Sequence, residues 1–281
     1  MNNPGIAIAT FEVSGKKSAP TSLTRTTALA AATQLQIAAD EQLPDLSFYL
    51  YWRDHQLTLR DQSSKKPVDI SIDFCAGKNR HRLQFGGGYG QPLARAVNAK
   101  PQQPQTICDA TGGLGQDAFV FAALGCDVVV VEQSKIVAAL LKDALQRALE
   151  NTDISTIANR MQIHQFDSCQ LPQNWPLKEL PSTVYMDPMY PDNSKSAAAK
   201  KGMSTLQKLL PLEHSLHRKN STSPEDENSL LHAAMATATR RVVVKRPAKA
   251  PALTGHLPVG SVKSPNTRYD IYKPLTNLES Y

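Results

Sequence analysis

The segment Asp187-Pro188-Met189-Tyr190-Pro191 has the residue types of a site that binds a planar amine. An exocyclic amine on an aromatic base is a poor nucleophile, because its lone pair is delocalised into the ring. The Asp187 carboxylate and the Pro188 carbonyl can accept the hydrogens of such an amine and orient it. Tyr190 can stack on the base, a contact that contributes about 1–3 kcal/mol. The simpler alternative is a turn that ends a strand.

A glycine-rich turn lies earlier in the chain, where Asp109 is followed by Ala110-Thr111-Gly112-Gly113-Leu114-Gly115. Glycines there let a nucleotide-like cofactor approach the backbone, and the following helix start offers free N–H groups and partial positive charge. Asp109 is a candidate for the ammonium group of such a cofactor. Glu132 follows the glycines by about 20 residues, where a carboxylate can accept ribose hydroxyls. An ordinary tight turn with a solvated Glu132 is the alternative.

Both segments follow short apolar runs, Thr106-Ile107-Cys108 and Thr183-Val184-Tyr185-Met186. In an open parallel sheet, ligands bind at the carboxyl ends of the strands, where both segments would lie. Together they indicate an enzyme that moves a methyl group onto an exocyclic nitrogen.

A nicotinamide enzyme is the main alternative, because residues 113–118 match the pattern GxGxxA. Such an enzyme also needs a proton donor, and its Tyr-x-x-x-Lys spacing occurs here at Tyr269 and Lys273. That stretch has the pattern of a strand and is followed by Pro274, so we expect no helix to carry the pair.

Composition predicts a globular chain that does not span a membrane. The 281 residues are 41% hydrophobic, and no apolar run approaches the roughly 20 residues that cross a bilayer. The N-terminus lacks the pattern of a secretory signal. Four scattered cysteines without a CxxC pair argue against disulfides and a metal site, and favour the cytoplasm.

The net charge of +6 is concentrated in clusters, which favours a phosphate-bearing partner such as RNA. A solvated charged surface is the alternative for each cluster. The expected RNA-binding residues are Arg80, Arg82, Lys195, Lys200, Lys201, Lys245 and Arg246.

The order of elements predicts three regions. Residues 1–77 form a small α+β domain, with a helix at 27–41 and strands at 48–52, 56–60 and 68–74. Residues 78–105 are a basic, glycine-rich connection. Residues 106–281 alternate strands and helices, which implies a parallel sheet with helices on both faces. Residues 214–229 are predicted to be a polar surface insertion between two helices, and residues 258–273 a terminal hairpin.

At five motifs the sequence closely resembles the bacterial family that methylates N2 of a guanine in small-subunit ribosomal RNA. The motifs are Arg82-Leu-Gln-Phe-Gly-Gly-Gly88, Asp109-Ala-Thr-Gly-Gly-Leu-Gly-Gln-Asp-Ala-Phe119, Asp187-Pro-Met-Tyr-Pro191, Arg241-Val-Val-Val-Lys-Arg-Pro247 and Arg268-Tyr-Asp-Ile-Tyr272. The resemblance runs from about Asp73 to Tyr272. Within it, Met189 stands where methyltransferases acting on planar nitrogen usually have a second proline.

The resemblance implies a class I S-adenosylmethionine-dependent methyltransferase fold. This Rossmann-like α/β fold has a seven-stranded, mostly parallel sheet with an antiparallel C-terminal hairpin, preceded here by the small domain. The cofactor would be S-adenosylmethionine. The implied contacts are Gln116-Asp117, Glu132-Gln133, Phe166-Asp167 and Asp187, beside Gly112, Gly113 and Gly115 of the turn. Asp167 would suit the adenine amine, and a helix cap is its alternative role.

The implied partner is 16S ribosomal RNA, either naked or in an assembled small subunit. Guanine N2 as the target comes from the resemblance alone, since an adenine N6 amine would fit the same acceptors. Methylation of adenine N6 in RNA or DNA, a nicotinamide-dependent oxidoreductase and a non-catalytic RNA-binding protein are therefore the remaining alternatives.

Overall fold

The computed structural model describes residues 5–14, 17–20, 22–38, 40–63, 66–75, 88–188, 197–217, 224–253 and 255–275. The strands are β1 Ile6–Ser14, β2 Lys17–Pro20, β3 Gln36–Ile37, β4 Phe48–Arg53, β5 Gln56–Asp61, β6 Val68–Ile70, β7 Thr106–Asp109, β8 Asp127–Glu132, β9 Met161–Gln165, β10 Thr183–Met186, β11 Arg241–Pro247, β12 Gly260–Lys263 and β13 Thr267–Tyr272. The α-helices are α1 Leu23–Thr33, α2 Pro92–Ala96, α3 Gln116–Ala123, α4 Lys135–Glu150, α5 Ser155–Ala158, α6 Leu171–Asn174, α7 Ala197–His217 and α8 Pro224–Thr237.

The chain divides into two compact units. The first comprises Met1–Ile72, Ser134–Ala144 and Pro191–Ser221, and the second comprises the remaining segments. The boundary near residue 72 lies close to the one expected from sequence. The two later segments of the first unit differ from that expectation, which placed them in the third region.

The first unit contains a mixed sheet with the order β2-β1-β4-β5-β6, and β3 pairs with the edge of β1. Strands β4 and β5 form a hairpin whose two loop residues, Asp54 and His55, both have positive φ. That conformation matches the twist of a two-residue hairpin. Tyr49 and Tyr51 pack with Ala7 and Ala9 in the core of this unit.

Two predicted elements of the first unit have different bounds. The helix expected at 27–41 begins at Leu23 and ends at Thr33. It ends there because Gln34 adopts the left-handed conformation, with φ of 59°, and donates its N–H to the Ala30 carbonyl. The strand expected at 68–74 ends at Ile70.

The start of α4 also lies in the first unit. Ser134 caps this helix, since its Oγ accepts the Val137 N–H at 3.1 Å. Glu213, on α7, adds a second cap. Its Oε1 accepts the Lys135 N–H at 2.7 Å, and its Oε2 accepts the Ser134 hydroxyl. Sequence reasoning did not identify this contact, whose partners are 79 residues apart.

The second unit contains a seven-stranded sheet with the order β12-β13-β11-β10-β7-β8-β9. The five strands from β11 to β9 are parallel, and β12 and β13 form an antiparallel hairpin at the other edge. The fold class predicted from sequence is confirmed. Val128–Val131 and Val242–Val244 are buried, as is typical of parallel strands covered on both faces.

Two further segments differ in part from their predictions. The expected connection at 78–105 contains α2, whose Leu93, Ala94 and Ala96 are buried. The polar stretch at 214–229 was predicted to be an insertion between two helices; both helices are present, and they extend into the stretch from each side. Helix α7 extends to His217 and α8 begins at Pro224.

The four cysteines are free thiols. In the described part of the chain, no helix has the length and apolar character needed to cross a membrane. The same residues contain no cluster of metal-ligating side chains.

Candidate functional site

Three carboxylates lie at the carboxyl ends of adjacent strands in the second unit. Asp109 ends β7, Glu132 ends β8, and Asp187 follows β10 directly. Because Tyr185 pairs with Asp109, and Asp109 with Val130, these strand ends are side by side. The two segments singled out from sequence therefore meet at the edge of the sheet where ligands bind in such folds.

The glycine turn packs directly on β8. The Gly112 N–H donates to the Val131 carbonyl at 2.9 Å, and a Cβ on Gly112 would lie 2.8 Å from Val130 Cγ1. The Gly113 N–H donates to Glu132 Oε2 at 2.8 Å. Gly115 has a φ of 69°, a backbone conformation that residues with a side chain rarely adopt. Helix α3 begins at the next residue. The glycines thus bring the turn and the Glu132 carboxylate into contact.

Asp109 shapes this turn from within the protein. Only 3% of it is exposed, and its Oδ1 accepts the Thr111 N–H at 3.1 Å. Burial raises the pKa of Asp109 to about 7, and the charges of Asp117 and Asp187 act in the same direction, although the Thr111 N–H lowers it. We expected Asp109 to bind the ammonium group of a cofactor, which requires an exposed carboxylate, whereas this carboxylate is buried.

Thr111 connects the turn to the amine-site segment. Its Oγ1 accepts the Asp187 N–H at 2.7 Å. Sequence reasoning did not select Thr111 as a site residue. Its position two residues after Asp109, within the glycine motif, was the available signal.

Lys245 joins two carboxylates of the site. Its Nζ lies 2.7 Å from Asp187 Oδ2 and 2.9 Å from Asp117 Oδ2. The Tyr185 hydroxyl donates to the same Asp117 oxygen at 2.6 Å. The register that pairs Met186 with Val244 brings Lys245 beside Asp187, because β10 and β11 are parallel.

The pKa values of this cluster reflect burial and mutual charge. Burial alone would lower the pKa of Lys245, but Asp117 and Asp187 raise it above its ordinary value. Burial raises the pKa of Asp187; Lys245 opposes that increase and Asp117 adds to it, so the pKa remains above its ordinary value. Burial and the Asp117 charge also raise the pKa of Tyr185 well above its usual range.

Two residues expected to bind RNA phosphates have cationic groups that contact acceptors of the protein itself. The Lys245 ammonium group is occupied by Asp117 and Asp187. Arg246 is 5% exposed, and its guanidinium donates twice to the Pro251 carbonyl at 3.1 and 2.8 Å. The structure therefore corrects both expectations, because a buried cation with protein acceptors is a poor phosphate contact.

The remaining expected cofactor contacts lie around the same strand ends. Gln116 is exposed at the start of α3. The Gln133 carbonyl accepts the Gln165 side-chain amide at 2.9 Å, and Phe166 packs partly buried against the core. Asp167 accepts the Cys169 N–H at 2.9 Å, so it has the capping role that was its alternative. The Asp167 residue is also exposed, and a carboxylate has acceptor capacity for more than one donor.

Several residues expected in the site lie outside the part of the chain that the structure describes. They are Arg80, Arg82, Tyr190, Lys195 and the side chains of Lys200 and Lys201. Pro188 is described and is partly buried. Tyr269, considered as half of a dehydrogenase pair, lies on β13 opposite Lys245, and Lys273 follows the end of that strand. The helical arrangement needed for such a pair is therefore not formed by these two residues.

The site has the donors and acceptors that S-adenosylmethionine requires. Backbone N–H groups at the start of α3 suit a carboxylate. Glu132 suits hydroxyl groups, because a carboxylate accepts hydrogen bonds at both oxygens. The close approach of the turn to β8 leaves these groups at one edge of the sheet.

Comparisons with known proteins show the family to which the chain is similar. The model of a family described as "Putative SAM-dependent methyltransferase" matches residues 29–274. The ribosomal RNA small subunit methyltransferase J of Hydrogenovibrio crunogenus is 50% identical over 208 residues, which cover 72% of this chain and 69% of that protein. The protein of the same name from Stutzerimonas stutzeri is 39% identical, covering 90% of this chain and 93% of its own. The crystal structure of an SAM-dependent methyltransferase from Neisseria gonorrhoeae matches with a TM-score of 0.71 at 30% identity, covering 98% of this chain and 100% of that one.

Proposed function

Because the chain belongs to the ribosomal RNA small subunit methyltransferase J family of S-adenosylmethionine-dependent methyltransferases, we propose that it methylates the exocyclic N2 amine of one guanine in 16S ribosomal RNA. The observation that supports this reaction most directly is the position of Asp187. The residue follows β10 beside the glycine turn, its backbone N–H donates to Thr111 Oγ1, and its carboxylate is held by Lys245.

Asp187 and Pro188 would bind and orient the target amine. The carboxylate and the carbonyl accept the two amine hydrogens, which favours localisation of the nitrogen lone pair, and Tyr190 stacks on the base. Fixing the amine in line with the methyl donor removes much of the entropic barrier. The nitrogen becomes acidic once it has formed the new bond to carbon, so Asp187 or a water molecule takes the departing proton.

When bound, S-adenosylmethionine would supply an electrophilic methyl group from its sulfonium sulfur, and loss of the carbon–sulfur bond would leave S-adenosylhomocysteine. In this proposal Glu132 holds the ribose hydroxyls, Asp167 receives the adenine amine, and the turn at Gly112–Gly115 contributes backbone N–H groups. Gln116, Asp117, Gln133 and Phe166 border the same space. We assign Asp109 to shaping the turn, because it is buried and accepts the Thr111 N–H.

The RNA phosphates would be held by basic residues other than Lys245 and Arg246. We keep Arg80, Arg82, Lys195, Lys200 and Lys201 in this role and remove Lys245 and Arg246 from it. A ribosomal RNA substrate would place the protein in the cytoplasm. Removing one lysine or arginine that neutralises a phosphate should reduce the slope of log affinity against log salt by about 0.7–0.9. The paired substitutions K200A/K201A and R80A/R82A test this, and an unchanged slope in both would assign the charges to solvated surface.

The reaction is tested with ribosomal RNA from cells that lack this gene. The purified protein and labelled S-adenosylmethionine should label 16S RNA, and mass mapping of nuclease fragments should place the methyl group on guanine N2. A methyl group on adenine N6 would change the assigned target. No transfer to either naked RNA or isolated small subunits would contradict the proposal. Comparing those two substrates also identifies the assembly stage at which the enzyme acts.

A further inference from the structure

We propose that Lys245 is a positioning residue for methyl transfer, which holds the Asp187 carboxylate charged and in one orientation for the target amine. The inference rests on the proposed function, since it assumes that Asp187 binds the amine. It assigns to Lys245 a role within the catalytic site, in place of the RNA contact that its charge and sequence neighbourhood suggested.

Asp187 is fixed at two points. Its backbone N–H donates to Thr111 Oγ1 at 2.7 Å, and its Oδ2 lies 2.7 Å from Lys245 Nζ. The first contact sets the backbone beside the glycine turn, and the second sets the side-chain torsions. Constraints of this kind hold a reacting group within the narrow range of geometries that transfer requires.

Lys245 is itself held in place. A second carboxylate oxygen, Asp117 Oδ2, lies 2.9 Å from its Nζ, and Tyr185 donates to that same oxygen. Asp117 is in the first turn of α3, so the cluster joins the helix after the glycine turn to strands β10 and β11. The ammonium position is therefore defined by two anions and does not depend on bound RNA.

The charges around Asp187 explain why a cation is needed there. Asp117, Asp109 and the hydroxyl of Tyr185 all interact electrostatically with Asp187. Burial and Asp117 raise the pKa of Asp187, and Lys245 opposes them. Without Lys245, Asp187 would take up a proton at higher pH. A protonated carboxyl group loses acceptor capacity and becomes a donor, which suits an amine poorly.

The test compares wild type with K245M, K245R and, as a matched control, K263M on the exposed strand β12. The dependence of kcat/KM on pH reports groups of the free enzyme. If activity needs ionised Asp187, kcat/KM rises with pH through the pKa of that group. We expect K245M to shift this acid limb to higher pH by about 1–3 units, the usual effect of one nearby opposite charge. K245R should largely restore it, and K263M should match wild type.

Three further measurements separate positioning from a general loss of structure. K245M should bind S-adenosylmethionine by calorimetry with an affinity near that of wild type, while its kcat at neutral pH falls by about 10-fold or more. Carbon-13 NMR of labelled aspartate, with the Asp187 signal assigned from D187N, should show the same upward shift in K245M. If K245M does not fold, K245Q carries the same expectation, because its amide donates a hydrogen bond without the charge.

An acid limb and an Asp187 NMR titration that are both unchanged in K245M would overturn the inference. Weaker RNA binding with a flatter salt dependence, and normal kcat, would return Lys245 to a phosphate-binding role. The proposed function fails separately: in that case wild-type enzyme itself does not methylate guanine N2. A wild-type enzyme that is active, beside a K245M variant with an unchanged pH profile, refutes only the role of Lys245.

Discussion

At the scale of single residues, the aspartates of the site have different environments and therefore different tasks. Asp109 is buried beneath the turn, whereas 38% of the Asp187 side chain is exposed. Asp117 shares Lys245 with Asp187 and accepts the Tyr185 hydroxyl. Asp187, at the edge of the site, can receive a substrate, whereas Asp109 is enclosed and orders the turn.

Substitutions of Asp187 and Glu132 should affect different steps, turnover and cofactor binding respectively. D187A should lower kcat by about 100-fold or more, comparable with removal of one transition-state hydrogen-bonding group, with a modest change in cofactor affinity. E132A should mainly weaken cofactor binding, because its proposed partner is the ribose. Single-turnover kinetics and calorimetry measure the two effects. Near-normal turnover in D187A would show that the carboxylate does not bind the amine.

Asp109 should make folding stability fall as pH rises. Its pKa is raised to about 7, so between about pH 4 and 7 the folded state keeps a proton that the unfolded chain has released. Stability then decreases across that window by up to about 1.4 kcal/mol per pH unit. An asparagine at this position does not titrate. Urea unfolding should therefore show that the free energy of unfolding of D109N, measured relative to wild type, increases from pH 4 to 7. D127N, at an exposed position, controls for the amide; an equal trend in both variants would contradict the assignment.

At the scale of elements, the site is formed by the contact between the glycine turn and β8. Gly112 lies against Val130, and the Gly113 N–H reaches Glu132. The turn therefore positions the carboxylate proposed for the ribose, while α3 begins at its end. On the other side of β7, Thr111 bonds the backbone that follows β10. One turn thus orders the ends of β8 and β10, the two strands that flank β7.

Gly112→Ala should destabilise the protein and weaken cofactor binding. Its Cβ would lie 2.8 Å from Val130 Cγ1 and 3.2 Å from the Val131 carbonyl oxygen, and overpacking of this kind costs about 1–3 kcal/mol. Urea unfolding measures the loss, and V130A in the same chain should recover part of it. Gly90→Ala, which meets no atom within 4 Å, should change stability by less than about 0.5 kcal/mol. Equal effects at both glycines would show that close packing is not the cause.

At the scale of the whole molecule, the fold and the net positive charge account for different parts of the proposed function. The parallel sheet of the second unit carries the strand ends that we propose bind the cofactor. The excess of positive charge concerns association with RNA and does not specify the chemistry. Lys245 shows the difference, because a lysine in a basic stretch of sequence lies between two carboxylates in the structure.

Cofactor binding should stabilise the whole protein against unfolding. At a ligand concentration one hundred times Kd, linkage adds about 2.7 kcal/mol for a ligand that binds only the folded state. S-adenosylmethionine and S-adenosylhomocysteine should both raise the unfolding temperature, and NAD should leave it unchanged. Calorimetry gives the affinities directly. Stabilisation by NAD with no response to either adenosyl ligand would support the oxidoreductase alternative.

Much of the second unit was predictable because its signals are local. Short apolar runs specified the strands, the spacing of Asp109 to Gly115 specified the turn, and the alternation of strands and helices specified a parallel sheet. The same local patterns located Glu132 and Asp187 at strand ends. In the first unit the helix was predicted to end at residue 41. It ends at Thr33, because Gln34 adopts the left-handed conformation.

Contacts between distant segments depended on the tertiary structure. Lys245 is 58 residues from Asp187 and 128 from Asp117, so their pairing follows from the order of strands in the sheet. The fit of Gly112 against Val130 and the bond from Asp187 to Thr111 have the same origin. Sequence determined which strand ends would carry the reactive groups, because turn chemistry and hydrophobic periodicity act over short distances. Only the folded sheet decided which charges meet there, since attraction and burial depend on distance in space.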